Sequence, residues 1–185
     1  QVFQQRLVWS PGDLSNHNSD PAFQGLRALS GSDYVYWDAE FNQSVSLPHD
    51  FLFIGNIEAQ LSNANLLPSE ALIFGGVGSV RGFEQNLVRV ELYGPAFRPL
   101  DCLGVKSEIE QQARLFGFFD YAAGGNIDLL PGESDEFQLG GSGLGIDLRT
   151  TRHASFRISH AWQVIEEGFR DNEDSEWHVS AVVKW

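Results

Sequence analysis

The sequence predicts an all-β fold, an antiparallel meander of about eight strands. Three observations support this. Segment after segment alternates apolar and polar residues with a period of two, and clusters of turn formers separate the segments. No stretch carries a convincing amphipathic helical period. The composition, with 19 Gly, 14 Phe and 5 Trp in 185 residues, favours pleated, half-buried surfaces joined by loops.

From the start of the chain, Phe3, Leu7 and Trp9 share one face of a first strand and Gln4 and Arg6 the other, with Val2 and Val8 out of phase. Ser10-Pro11-Gly12-Asp13 opens a polar loop running to Pro21. From Asp33 to Leu47, Val35, Trp37, Ala39, Phe41 and Val45 alternate with Tyr34, Tyr36, Asp38, Glu40, Asn42 and Ser44. Pro48-His49-Asp50 is a short turn, and Phe53, Ile57, Ala59 and Leu61 then oppose Asn56, Glu58, Gln60 and Ser62, completing a hairpin.

After a glycine-rich stretch, Val88, Val90 and Leu92 alternate with Arg89, Glu91 and Tyr93. Gln112 to Ala122 sets Leu115, Phe119 and Tyr121 against Gln112, Arg114, Phe116, Phe118 and Asp120. Leu144, Ile146 and Leu148 oppose Gly143, Gly145, Asp147 and Arg149. Phe156, Ile158, Trp162 and Val164 oppose Ser155, Arg157, Ser159 and Gln163, with His160 out of pattern. Trp177, Val179, Ala181, Val183 and Trp185 oppose His178, Ser180 and Lys184.

Two architectures fit this pattern. A soluble sandwich has short strands whose polar faces meet water. A transmembrane barrel wall has longer strands, lipid-facing apolar residues, aromatic residues near strand ends, and short turns at one rim opposite long loops at the other. Several segments here are long, and Trp9, Trp37, Tyr93, Trp162, Trp177 and Trp185 lie near strand ends. The residue pattern alone leaves both open.

Composition narrows function by exclusion. The balance of 12 basic against 25 acidic residues, net −13, argues against a nucleic-acid partner, which would need clustered Lys and Arg. The single cysteine, Cys102, makes no internal disulfide, and five scattered histidines have no metal-ligand spacing, so neither metal nor cofactor is implied. Asp120, Glu91 and Asp147 share one phase, but no nucleophile or carboxylate pair is singled out, and the chain does not read as an enzyme. No run of 18 apolar residues is present. The chain begins at Gln1 and lacks methionine, as expected of a segment from a longer protein.

The glycine-rich stretch is Gly75-Gly76-Val77-Gly78-Ser79-Val80-Arg81-Gly82-Phe83. Its glycines suit a long, bendable loop, and its one charge, Arg81, offers five donors to a carboxylate between Val80 and Phe83, which can wedge against a wall.

Four features together resemble the C-terminal barrel region of two-partner-secretion transporters, the TpsB or ShlB-like haemolysin secretion/activation proteins. Leu67-Pro68-Ser69-Glu70 followed by the glycine stretch resembles the family's signature loop, whose core is Val-Arg-Gly-Tyr/Phe. Phe118-Phe119-Asp120 resembles the Phe-x-Asp of the answering strand, Gly143-Leu144-Gly145-Ile146 the glycine-repeat strand, and Trp185 the terminal aromatic position read by the outer-membrane assembly machinery. Ser10-Pro11-Gly12-Asp13-Leu14-Ser15-Asn16 is similar to the secretion branch of the superfamily rather than its insertase branch. Asp147 and the long Leu100 to Ile109 link depart from the family pattern.

The resemblance implies that residues 1–185 form the C-terminal half of a roughly 16-stranded outer-membrane β-barrel, with the N-terminal half and the periplasmic POTRA modules absent from this chain. It implies a lumen-inserted loop over 63–86, latched by Val80, Arg81, Gly82 and Phe83 against Phe118 and Asp120, with Gly143 and Gly145 leaving room for close approach. The implied function is secretion of a TpsA-like partner exoprotein from the bacterial outer membrane, with membrane lipid and the assembly machinery as further partners. An assembly insertase of the same superfamily, a passive porin and a soluble β-sandwich binding module are the alternatives.

Overall fold

The computed structural model describes residues 1–71, 84–102, 104, 111–125, 127–132, 136–150, 154–167 and 175–184. Eight strands follow in chain order: β1 (Val2–Pro11), β2 (Asp33–Ser46), β3 (Leu52–Ser62), β4 (Glu84–Tyr93), β5 (Gln111–Gly125), β6 (Glu136–Thr150), β7 (Ala154–Glu167) and β8 (Ser175–Val183). They form one antiparallel sheet in the order β1-β2-β3-β4-β5-β6-β7-β8, so every neighbour in sequence is a neighbour in space. Two short helices, α1 (Asp20–Gln24) and α2 (Pro99–Cys102), and a 3-10 turn (Pro48–Asp50) lie in the connections. Among the described residues no helix is long and apolar enough to cross a membrane.

Most strands exceed the usual five or six residues; β5 and β6 have 15 each. β5 outruns its alternating core because Gly124 and Gly125 continue the ladder, pairing with Gln85 and Glu84 on one side and with Phe137 and Glu136 on the other. β4 begins at Glu84, so the last three residues of the 63–86 span are strand.

Period-two alternation turns this register into two distinct faces. One row runs from Val45 through Phe53, Leu92, Gly117, Leu144 and His160 to Trp177, crossing β2 to β8 on the apolar face. On the other face Leu52, Tyr93, Phe116, Gly145, Ser159 and His178 form the matching row from β3 to β8. His160, the residue out of pattern, lies on the apolar face between Trp162 (T-shaped, centroids 4.7 Å apart) and Trp177 (4.6 Å). Their rings surround the imidazole with aromatic surface.

Among the described residues nothing covers the apolar face. Leu7 is 70% exposed, Leu144 62% and Val179 72%, as expected of a wall that meets lipid. At about 25 cal/mol per Å² this much apolar surface would be costly in water. A sandwich would bury it under a second sheet, but all eight strands belong to one.

Connections sort by length. Residues 12–32, 63–83, 126–135 and 168–174 join strands at one end, and 47–51, 94–110 and 151–153 at the other. Short turns therefore gather at the second end, with 94–110 as the exception. That longer link is fastened to the β2–β3 turn. His49 and Asp50 take left-handed φ values of 60° and 62°, a region the short polar Asp side chain tolerates. The Asp50 carboxylate accepts a hydrogen bond from the Ala96 N–H at 2.9 Å and two from Arg114 Nη2 at 2.9 and 3.1 Å. Arg114 Nη1 donates to the carbonyls of Asp50 (2.8 Å) and Gly94 (3.0 Å). At the opposite end Asp20 accepts from both the N–H and the hydroxyl of Ser32, each at 2.8 Å.

The Ala96 N–H, then Arg114, hold the Asp50 carboxyl below its ordinary pKa. A depressed carboxylate contributes stability that is whole above the unfolded value of about 3.9 and is lost as pH falls through the folded value. The difference in thermal unfolding between the protein and Asp50→Asn should therefore be constant near neutral pH and should shrink as pH drops below about 4. A pH series of unfolding curves in detergent checks this; a difference that grows on acidification contradicts it.

Candidate functional site

The polar face carries two constructions that the strands position. The first is the root of the connection between β3 and β4. Beyond Ser62 the chain stays registered for one more residue: the Asn63 N–H donates to Val35 O (3.1 Å) and its side-chain oxygen accepts from the Val35 N–H (2.8 Å). It then folds onto the polar side of β2. Leu66 and Ala71 bury against Tyr36, which is 1% exposed, and Val8 and Tyr34 pack at the edge of this cluster. Val8 breaks the alternation of β1 because it faces this apolar patch on an otherwise polar face.

Polar contacts surround the patch. Tyr36 Oη donates to Glu70 Oε2 at 2.6 Å. Gln60 Nε2 donates to the Glu70 carbonyl and to Asp38 Oδ1, both at 2.8 Å, and Arg6 Nε donates to Asp38 Oδ2 at 2.8 Å. From the neighbouring loops, Arg27 Nη1 donates to Leu66 O at 2.6 Å, and the Asn65 amide, 3% exposed, donates to Asp128 O at 2.9 Å. Asn65 Oδ1 also accepts from the Ile127 N–H at 3.3 Å.

The second construction spans β4 to β7. Gly145 faces Phe116 across the β5–β6 ladder, and Gly143 faces Phe118. A Cβ on either glycine would overlap the opposing ring and a β7 carbonyl, of Ile158 or His160. The rings thus lie over bare backbone. Phe116 stacks beside Tyr93 at 5.2 Å between centroids and beside Phe118 at 6.1 Å. Arg157 of β7 reaches over this floor, its guanidinium 4.1 Å from the Phe116 centroid. It donates Nη1 to Tyr93 Oη at 3.0 Å and Nη2 to Glu91 Oε1, and Tyr93 Oη donates to Glu91 Oε2 at 2.6 Å. This charged bridge ties strands three apart in the sheet.

Asp120 lies in register between Arg89 and Gly141 on the same face, close to the bridge. Among the described residues no hydrogen bond or ion pair reaches its carboxylate. Asp147 is registered between Arg114 and Arg157, whose guanidiniums are committed to Asp50 and Glu91. Val80, Arg81, Gly82, Phe83 and Trp185 lie outside the described residues. Phe118, Asp120, Gly143 and Gly145 are brought together on one face, and what closely approaches the two glycines is Phe118 and Phe116.

Residues 10–91 match the family of the haemolysin secretion/activation protein ShlB/FhaC/HecB. Over that segment the chain is similar to this family. The matched stretch holds the Ser10 to Asn16 motif, the loop root and the Val80-Arg81-Gly82-Phe83 core. Asp120, the glycine strand and Arg157 follow it in the sequence. No curated protein and no solved structure matches the chain.

In the matched segment and the strands after it, sequence reasoning placed Glu91, Tyr93 and Arg157 on the polar phase but did not pair them. Alternation gives the face, whereas the partner depends on a register carried through three ladders. The roles of Tyr36, Gln60 and Glu70 were missed for the same reason. Leu67-Pro68-Ser69-Glu70 stood out in sequence, but nothing local shows that it turns back on β2.

Three substitutions at two positions test the bridge. Gly145→Val should overpack Phe116 and destabilise the sheet by about 1–3 kcal/mol. Arg157→Ala should cost about 1–2 kcal/mol, since Glu91 and Tyr93 lose a charged partner that is partly solvated. Arg157→Lys should recover only part of that loss, because an ammonium cannot make the forked contact. Denaturant unfolding of the detergent-solubilised protein measures all three.

Proposed function

We propose that this chain is the C-terminal part of the barrel of a bacterial outer-membrane transporter that secretes a partner exoprotein by two-partner secretion. Residues 63–83 supply a loop that enters the lumen, and Arg81 pairs with Asp120 as its latch. The polar face is then the lumen wall, the apolar face meets lipid, and the longer connections lie at the extracellular rim. The partner is a TpsA-like exoprotein, and Trp185 serves the assembly machinery as a terminal signal.

The observation that carries this reading is the loop root. Leu66, Glu70 and Ala71 pack on the polar face rather than projecting past the end of the sheet, which supports a loop that enters the lumen. The family match over residues 10–91 supports the transport class. Asp120, part-buried beside Arg89, lies on the face the loop enters. A guanidinium held there would gain forked hydrogen bonds. Losing one partner of such a pair costs about 3–5 kcal/mol where water is excluded, and less in a wet lumen.

Arg81→Ala in the full-length protein should leave barrel insertion normal, as judged by heat-modifiable migration in detergent, and abolish secretion of the partner. Asp120→Asn should weaken secretion in the same direction. Failed insertion of Arg81→Ala would reduce the pair to a brace used in folding, and full secretion would remove its role.

A further inference from the structure

At the end of the sheet with the longer connections, three described segments turn over the polar face rather than away from the wall. In residues 12–32, Phe23 of α1 is 8% exposed and packs against Tyr34 (centroids 6.3 Å apart), which stacks on Tyr36 at 6.0 Å. Both tyrosines belong to the polar phase of β2, so α1 lies on that side. Beyond β3, Leu66 and Ala71 bury on the same face. Beyond β5, Ile127 and Asp128 come back toward β3 and meet Asn65.

Asn65 joins the three. Its Nδ2 donates to Asp128 O at 2.9 Å, and its Oδ1 accepts from the N–H groups of Ile127 at 3.3 Å and Asp128 at 3.4 Å. The side-chain amide thus matches both the donors and the acceptor of the segment it faces, as a neighbouring strand would. The Asn65 backbone also forms a parallel bridge with Ser30. Ser30 donates its hydroxyl to Arg27 O at 2.7 Å, and Arg27 reaches Leu66 O, next to Asn65. β4 lies between β3 and β5. With strands about 4.8 Å apart, the tie from Asp128 to Asn65 reaches roughly 10 Å across the end of β4. Because Asn65 leads into residues packed on the polar face, that reach runs over the lumen side of the wall.

We infer that Asn65 is a positioning residue that ties residues 12–32 and 127–132 into a collar narrowing the extracellular mouth of the resting barrel. This rests on the transporter reading, which makes that end extracellular. The collar is independent of the Arg81–Asp120 pair, since its contacts all lie within residues 12–71 and 127–132.

Full-length protein in planar lipid bilayers tests the collar. Asn65→Ala removes the three side-chain hydrogen bonds and should raise channel conductance several-fold in the absence of partner. In a Cys102→Ser background, Asn65→Cys with Asp128→Cys replaces those hydrogen bonds by a bond that can be made and broken. Oxidised, this variant should conduct like the parent. Reduced in the bilayer, it should leak like Asn65→Ala, and reoxidation should restore the low level. A residue needed only for folding would give no such reversible change, and because the oxidised protein is inserted before it is reduced, the measurement does not depend on Asn65→Ala folding. Equal conductance of the oxidised and reduced forms, or cysteines that never bridge, overturns the assignment. Failure of the transporter reading is seen separately, in a wild-type protein that inserts and secretes no partner.

Discussion

Hydrocarbon offers no hydrogen bonds, so a chain that crosses it must pair its backbone N–H and C=O groups internally. The eight-strand meander does so through seven antiparallel ladders. Once those ladders are fixed, alternation leaves no freedom in which side chains share a face, since a slip of one residue would exchange the apolar surface for the polar one. The Val45 to Trp177 row and the Leu52 to His178 row therefore specify each other. In a membrane-spanning wall a polar residue displaced onto the apolar face would meet hydrocarbon, a penalty that holds the register without a large buried core.

The same constraint explains the glycines of β6. A flat polar wall lined with full-sized side chains would hold Arg157 away from Glu91, because β5 and β6 stand between them. Removing the side chains at Gly143 and Gly145 lets the Phe118 and Phe116 rings lie down over β6, and the guanidinium then crosses on top of an aromatic surface. Stacking compensates part of its desolvation, and the fork satisfies Tyr93 and Glu91 together. The two glycines and the two phenylalanines work as one device: a Cβ on β6 would displace a ring, and loss of the Phe116 ring would remove the guanidinium's support.

The sheet was legible in the sequence because each strand carries its own period-two signal, interrupted at Val2, Val8 and His160. Its partners were less so. Val8 looked like a fault in alternation and is instead the edge of the apolar patch under the loop root. Arg157 and Glu91 are 66 residues apart, and nothing local to either names the other. The long 94–110 link could be seen, but not its fastening, because Asp50 and Arg114 come from turns and strands that meet only in the folded sheet. Motifs with a fixed local spacing, such as Val80-Arg81-Gly82-Phe83, survive as signals where pairings through several registers do not.

Strength is unevenly distributed over the polar face, and that distribution suits a wall that must hold its shape while something inside it moves. The Glu91–Tyr93–Arg157 bridge braces strands β4 to β7, and the Tyr36–Glu70–Gln60 network braces β1 to β3 with the loop root. Both are networks with shared members, Tyr93 Oη bonding Arg157 and Glu91 and Gln60 Nε2 bonding Asp38 and Glu70, and such networks resist opening more than isolated pairs do. Asp120 lies near one of them without being a member. A carboxylate in that position can take a cation with little disturbance of either brace, because among the described residues no packed ring or shared hydrogen bond depends on it. Local openings draw on the weakest contacts, and neither network holds Asp120.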